Sequence, residues 1–187
     1  MDVISALRAR VSCPKLRDPG PSDADLDLML RCALRAPDHG LLRPWRFVLF
    51  RGDDRRALGD VFVEAERLRN PGASEEALQK LRNNPLRAPL VMACVSVTVP
   101  GHKVPVIEQV ASMAAAVQNL QLAADALGFG AMWRTGAMAD DVHVKARLGF
   151  EAKDEIVAWL YVGTPDGPRR VATEPDPAAF VRFGGLV

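Results

Sequence analysis

The segment RAPDHGLLRPWRF occupies residues 35–47 and joins a predicted helix to a predicted strand. It places two prolines, one glycine, one histidine, three arginines and one tryptophan within thirteen residues. Because proline restricts the backbone, a connection with this composition is stiff, and its histidine and arginines can bind a ligand. The segment therefore predicts a rigid, functional connection in a fold that alternates helices and strands.

The chain on both sides of this segment shows helical and strand periodicity. Asp2 is expected to cap a first helix, while Ser22 and Asp25 form a capping box for a second helix that Pro37 ends. The spacing of apolar residues predicts further helices at 53–69, 74–84, 106–127 and 141–148, and strands at 46–50, 90–97, 130–134 and 156–162.

Two of these segments are apolar enough to be fully buried. Residues 90–97 are apolar almost throughout, which is typical of a strand covered on both faces. The helix at 106–127 is apolar nearly all round and ends at Gly128, so we expect it to cross the middle of the molecule. Together they predict a layered sheet in one domain spanning residues 1–187, with an extended tail from about residue 164.

Composition excludes several classes of protein. The 187 residues are 49% hydrophobic and 25% charged, with a formal net charge of +1, as in ordinary globular proteins. Without a basic run, nucleic acid is not an expected partner. Three scattered cysteines predict free thiols in a reducing cytoplasm. No membrane span is expected, because the apolar segment at 106–127 carries six charged or amide side chains.

Familiar catalytic and nucleotide-binding motifs are not found. Gly128 and Gly130 follow a helix and precede a strand, and Trp133 holds the third glycine position, which is the wrong order and composition for a Rossmann loop. No Walker loop, catalytic triad or metal-ligand spacing is present, and His102 and His143 are expected to face solvent. No residue is therefore assigned as a nucleophile or a metal ligand.

Three clusters could still bind a ligand, and each has a purely structural alternative. Arg8, Arg10 and Ser12 could hold a phosphate, or the arginines could simply complement the helix dipole. The segment 35–47 could present Arg35 and His39 to a ligand, or be a rigid loop with a packed tryptophan. The third cluster is the glycine-rich turn at 128–136.

Taken in order, these motifs resemble the FMN-dependent nitroreductase family, especially its short bacterial branch of NAD(P)H nitroreductases. The likeness covers nearly the whole chain. The motifs that carry it are Arg10-x-Ser12, RAPDH at 35–39 followed by Pro44-Trp45, GHKVP at 101–105, GFGAMWRT at 128–135 and YVGTP at 161–165.

The resemblance implies an α+β fold, in which a central mixed or antiparallel sheet is sandwiched by helices in an intertwined homodimer with FMN at the interface. Arg35 and His39 would reach the flavin bound to the partner subunit. Contacts from the flavin's own protomer are implied for Arg10, Val11, Ser12, Trp133, Arg134 and Thr135. Weaker nicotinamide contacts are implied for Ala123, Ala124, Asp125, Ala126, Leu127 and Gly128.

The implied activity is two-electron transfer from NAD(P)H through FMN, by a ping-pong mechanism, to nitroaromatic, quinone or similar small electron-poor acceptors. A non-catalytic flavin-binding or flavin-scavenging protein would share the same cofactor residues and stays an alternative, as does a flavin-free interaction domain. Three positions depart from the usual family pattern. Val11 and Lys15 change the phosphate end of the site, and Arg43 changes the size and charge of the substrate pocket.

Overall fold

The structure is a computed structural model that describes residues 2–168 and 170–184. Its helices are α1 (Val3–Ala9), α2 (Asp23–Ala33), α3 (Asp54–Arg69), α4 (Glu75–Asn83), α5 (Val106–Ala126), α6 (Ala137–Asp140) and α7 (Val142–Arg147). Its strands are β1 (Leu16–Arg17), β2 (Trp45–Arg51), β3 (Leu90–Ser96), β4 (Gly130–Arg134) and β5 (Glu155–Pro165).

The strands form one open sheet in which every pair is antiparallel. β3 lies between β2 and β5, and β4 pairs with the other side of β5, which gives the order β2-β3-β5-β4. The two-residue β1 pairs with the end of β5. The predicted α+β class is confirmed, and the sheet is antiparallel rather than mixed.

Helices cover both faces of the sheet. Because side chains alternate along each strand, one strand contributes to the core on both faces. In β3, Leu90, Met92 and Cys94 point into one cluster with α2 and α5. The intervening Val91, Ala93 and Val95 point into a second cluster with α3, α6 and α7. A strand buried on both faces in this way is apolar at nearly every position, and Ser96 is the exception within residues 90–97.

The central helix α5 is largely buried, and Gln109 near its start satisfies backbone groups of the loop before it. The Gln109 amide accepts from the Val99 N–H over 2.9 Å and donates to the Val104 carbonyl over 3.0 Å. Since these partners replace water, burying the amide costs little. No helix among the described residues is long and apolar enough to cross a membrane.

The predicted N-terminal caps of α1 and α2 are correct, but the predicted C-terminal end of α2 is wrong. The Asp2 cap and the Ser22–Asp25 box are present. The helix expected to run to Pro37 instead ends at Ala33, because the chain turns at 34–36 before the proline is reached. β1 and α6 were not predicted, since elements of two and four residues are too short to show a period.

The expectation that two histidines face solvent was wrong. His102 is half-buried, and its Nδ1 accepts from the Val104 N–H over 3.0 Å. His143 Nε2 lies 3.1 Å from a carboxylate oxygen of Glu64, so the ring joins α7 to α3. Both rings are therefore structural links.

Candidate functional site

The exposed edge of β4 brings two predicted site segments together. The Cys13 amide donates to the Ala131 carbonyl over 2.9 Å, which places residues 10–12 beside β4 and its continuation at 133–135. Gly130 makes this approach possible, because a Cβ there would lie 2.8 Å from both Cβ and Sγ of Cys13. Arg10, Val11 and Ser12 are thus next to Trp133, Arg134 and Thr135.

A cavity of about 270 Å³ lies on the N-terminal side of this edge. Residues 11–15 form one wall, and residues 165–168 with Arg170 form the other. Lys15 and Arg170 bring positive charge, and Ser12 brings a hydroxyl. The opposing carboxylate of Asp166 is 3.9 Å from Arg17 Nε, which partly compensates its charge. Cations and a hydroxyl around a small cavity are suited to a phosphate-sized anion.

A second cavity, of about 430 Å³, lies at the other end of β4. Arg134 projects over the Tyr161 ring at 5.7 Å, and Arg87 lines the same space. Burial raises the pKa of Tyr161, although the two arginines oppose the shift, so its hydroxyl stays protonated at neutral pH. Trp159 also lines the cavity, and its buried Nε1 has no hydrogen-bond partner in the described chain. A polar ligand entering here would meet donors and two cations.

Trp133 anchors the end of β4 through its side chain. Its indole Nε1 donates to the Val157 carbonyl over 3.0 Å, and its ring packs against the α5 side of the core. This anchor fixes the strand end that leads to the exposed Thr135. Because β4 pairs only with β5 among the described strands, backbone groups of its outer edge can bond a ligand.

The segment 35–47 is fastened to α5 by hydrogen bonds. Ser112 Oγ donates to the Pro37 carbonyl over 2.6 Å and accepts from Trp45 Nε1 over 3.0 Å. His39 Nδ1 lies 2.6 Å from a Glu108 carboxylate oxygen, and both side chains remain exposed. The same α5 therefore positions both ends of the segment and its histidine.

The sheet keeps this segment away from the cavities at β4. It leads into β2, at one edge of the sheet, whereas β4 forms the opposite edge, with β3 and β5 between them. At roughly 4.8 Å per strand, three intervals separate the edges by about 14 Å. The structure thus brings together the predicted residues at 10–12 and 133–135, but not Arg35 or His39, within one chain.

The end of α5, predicted to contact nicotinamide, is mostly turned inward. Ala124 and Asp125 are buried, and Ala123 and Leu127 pack against the core. Of the six predicted residues, Ala126 and Gly128 are exposed. The nicotinamide contacts stay a prediction.

Two basic residues differ from the sequence-based expectation. Arg8, a candidate phosphate ligand, instead binds both carboxylate oxygens of Glu174 at 2.6 and 2.8 Å, so its guanidinium is already engaged. Arg170 lines the first cavity and was not predicted, since its proline-rich surroundings indicated only a tail. A basic residue shortly after the last strand was the available signal.

Comparison with known proteins places the chain in a family. The model of the Nitroreductase family matches residues 7–164. The chain is 37% identical over 184 residues to the Escherichia coli K12 protein named "Putative NAD(P)H nitroreductase YdjA", covering 98% of this chain and 100% of that protein.

Solved structures have the same fold. A nitroreductase-like protein of Bacillus cereus superposes with a TM-score of 0.84 at 22% identity, covering 98% of this chain and 96% of that one. A mutant of the FMN and NADPH-dependent nitroreductase NfnB from Sphigopyxis sp. strain HMH gives a TM-score of 0.77 at 18% identity, with both chains fully covered. From the family model and the YdjA match, the chain belongs to the nitroreductase family.

Proposed function

We propose that this protein is an FMN-dependent NAD(P)H oxidoreductase that transfers two electrons, by a ping-pong mechanism, to nitroaromatic, quinone or similar electron-poor acceptors. The observation that carries the proposal is the edge of β4, where two cavities with cationic walls flank the residues at 10–12 and 133–135. Family membership and the names of the relatives support the same assignment.

The first cavity suits the phosphate end of FMN. A phosphate monoester carries close to two negative charges at neutral pH and accepts several hydrogen bonds. Lys15 and Arg170 supply charge, while Ser12 supplies a hydroxyl donor. Arg10, at the C-cap of α1, is half-buried beside this cavity. Lys15, one of the positions that depart from the family pattern, would thus supply charge at the phosphate.

The second cavity suits the flavin ring. Arg87 and Arg134 place positive charge at the end of β4, and this charge would stabilise a bound flavin when reduction makes its N1 and O2 edge negative. The unpartnered Trp159 Nε1 and the protonated Tyr161 hydroxyl add donors for a polar ring edge. These features are what a flavin-binding cavity requires, and no nucleophile is needed.

The site is proposed to be completed by a second copy of this chain. Because Arg35 and His39 lie at the opposite edge of the sheet from β4, they are placed to contact the flavin of a partner subunit and not their own. Glu108 holds His39 through Nδ1, which leaves Nε2 to bond the partner's ligand. We therefore propose a homodimer with FMN at each of two interfaces.

Bound FMN would supply the redox chemistry, because it accepts hydride from NAD(P)H and returns two electrons to the acceptor. The chain's own contribution is positioning. Trp133, fixed through Val157, holds the edge of β4 in place, and Arg134 and Arg87 offset negative charge. In the proposed dimer, the segment 35–47 of the partner subunit would border the flavin without the entropy cost of ordering a flexible loop.

The proposal is tested by an absorption spectrum and an anaerobic titration. Purified protein supplied with FMN is expected to retain a yellow chromophore through gel filtration, and NADH or NADPH should bleach it. Retained colour that neither nicotinamide bleaches would favour the non-catalytic flavin-binding alternative. Failure to retain FMN at all would contradict both the oxidoreductase proposal and the non-catalytic flavin-binding alternative.

The proposed setting is the cytoplasm. All three cysteines are unpaired, as expected in a reducing compartment where NAD(P)H is available. We further propose that the whole chain acts as one domain, since the first cavity is built from both its N-terminal segment and residues after the last strand.

A further inference from the structure

A groove with several arginines lies where α2 connects to β2. Two adjoining cavities of about 280 and 420 Å³ share Leu34, Arg43 and Trp45. Arg35 lines the first cavity and Arg46 the second. We call this the arginine groove, formed by Leu34, Arg35, Leu41, Arg43, Trp45 and Arg46.

The charge of the arginine groove is positive and largely uncompensated. Its three guanidiniums face one carboxylate, Asp38, which accepts the Arg43 amide over 2.7 Å. Arg46 uses one nitrogen on the carbonyls of Arg43 and Trp45, at 3.1 and 2.8 Å. The guanidiniums of Arg35 and Arg43 bond no other side chain in the described part of the protein. Unpaired cations in a concave site attract anions.

The groove is held in shape by strained backbone. Leu41 and Arg43 have φ values of 53° and 49°, in the left-handed region that non-glycine residues avoid. Such strain costs on the order of 1–3 kcal/mol per residue, and it persists only where surrounding contacts enforce it. Here the Asp38 carboxylate holds the Arg43 amide, and Ser112 holds Trp45. The backbone of Arg43 is therefore held in place at the mouth of the groove, and its side chain extends from there.

Apolar surface accompanies the charge. Leu41 is 76% exposed and Leu34 is 50% exposed, and both line the same cavity as half-buried Trp45. A flat aromatic ring could rest against these side chains while an attached anion reaches a guanidinium. Because guanidinium is planar and binds carboxylate or sulfonate through two parallel hydrogen bonds, it selects such groups over a neutral amide.

We propose that the arginine groove is an acceptor subsite, with Arg43 as the residue that selects aromatic acceptors bearing a carboxylate or sulfonate. The inference rests on the proposed function, in which Arg35 reaches the flavin of the partner subunit. Arg43 shares a cavity with Arg35 and is thereby within reach of a molecule stacked on that flavin. The neutral residue usual at position 43 in the family would lack this preference.

The test compares 4-nitrobenzoate with 4-nitrobenzamide, which have the same ring and differ in charge. Dissociation constants are measured by calorimetry on the purified protein with excess FMN, and kcat/KM is measured for both as acceptors. We expect the carboxylate to bind at least about tenfold tighter, the scale of one charge-assisted hydrogen bond. Arg43→Gln should abolish most of that preference, while Arg43→Lys should retain part of it.

Arg56→Gln is the matched control, because it removes one exposed arginine at the start of α3, outside the groove. It should keep the preference. Raising the salt concentration should weaken the preference in the parent protein but not in Arg43→Gln. Equal affinity for the two compounds in the parent, or an unchanged preference in Arg43→Gln, would overturn the subsite. Failure of NAD(P)H to bleach the flavin would instead overturn the proposed function, since the affinities do not depend on turnover.

Discussion

Two arginines at the end of α1 differ in what their side chains already bond. The guanidinium of Arg8 is bound to both oxygens of Glu174. Arg10 is half-buried, and its guanidinium bonds no other side chain within residues 2–168 and 170–184. A guanidinium with free donors beside a cavity can gain charge-assisted bonds to an anion, whereas an engaged one must first break a bond. Arg10 is thus the better phosphate ligand of the two.

Replacing Arg10 by alanine is expected to weaken FMN binding. The loss should be about 1.5–3 kcal/mol, the usual scale for a hydrogen bond to a charged group, because the phosphate would lose one cationic partner. The dissociation constant is measured from the quenching of FMN fluorescence at low salt. Arg67→Ala removes the same charge at an exposed position of α3, away from the site. It should leave the FMN dissociation constant unchanged. Equal FMN dissociation constants for Arg10→Ala and the parent would show that Arg10 does not contribute to FMN binding.

At the scale of elements, length decides what the sequence can predict. Segments of five or more residues show a period, so β4 was predicted at its observed bounds, while the two residues of β1 could not be distinguished from a loop. The same limit applies to the site. Residues 10–12 and 133–135 form recognisable local motifs, but Arg87 and Arg170 reach the cavities only through tertiary packing. No local pattern marks Arg87, and Arg170 is marked only by its place shortly after the last strand.

One buried carboxylate joins the end of β3 to the start of β5. Asp154 accepts from the Thr98 and Glu151 amides at 3.0 Å each, and Lys153 Nζ is 3.3 Å away. Burial alone would raise the pKa of Asp154, but these hydrogen bonds and the Lys153 charge outweigh it, and the pKa lies below its usual value. The charged form is therefore the one that the folded state stabilises.

The contacts of Asp154 predict a pH-dependent contribution to the free energy of unfolding. Because the folded-state pKa of Asp154 is lowered, its contribution is present above the unfolded value of about 4 and is lost as the pH falls through the folded value. Asp154→Asn should lower the free energy of unfolding by about 1.5–3 kcal/mol at pH 7, and by progressively less below pH 4. Denaturant titrations from pH 3 to 7 measure this gap. A difference that does not change with pH would contradict this prediction. As a control, Asp53→Asn replaces an exposed carboxylate and should show no pH-dependent difference from the parent.

At the scale of the whole molecule, apolar residues remain exposed on the elements beside the segment 35–47 and on α1. Val3, Ile4 and Leu7 of α1 are 67%, 59% and 49% exposed, and Ile107, at the start of α5 next to Glu108, is 71% exposed. Phe183 of the tail is 90% exposed. Large apolar side chains exposed on several elements are surface that an oligomer contact could bury. A second copy of the chain would cover it and bring the partner's segment 35–47 toward each flavin.

Loss of the dimer should therefore mean loss of flavin. Ile107→Asp puts a charge into the proposed interface and should raise the dimer dissociation constant by about tenfold or more. Sedimentation velocity, followed at the flavin absorbance and at 280 nm, should show FMN only in the dimer boundary, with free FMN appearing as dilution releases monomer. Val142→Asp is the matched control, because Val142 is 62% exposed on α7, which packs with α3 on the other face of the sheet. A slowly sedimenting monomer that still carries flavin would show that one chain completes the site by itself, and Arg35 and His39 would then have no part in it.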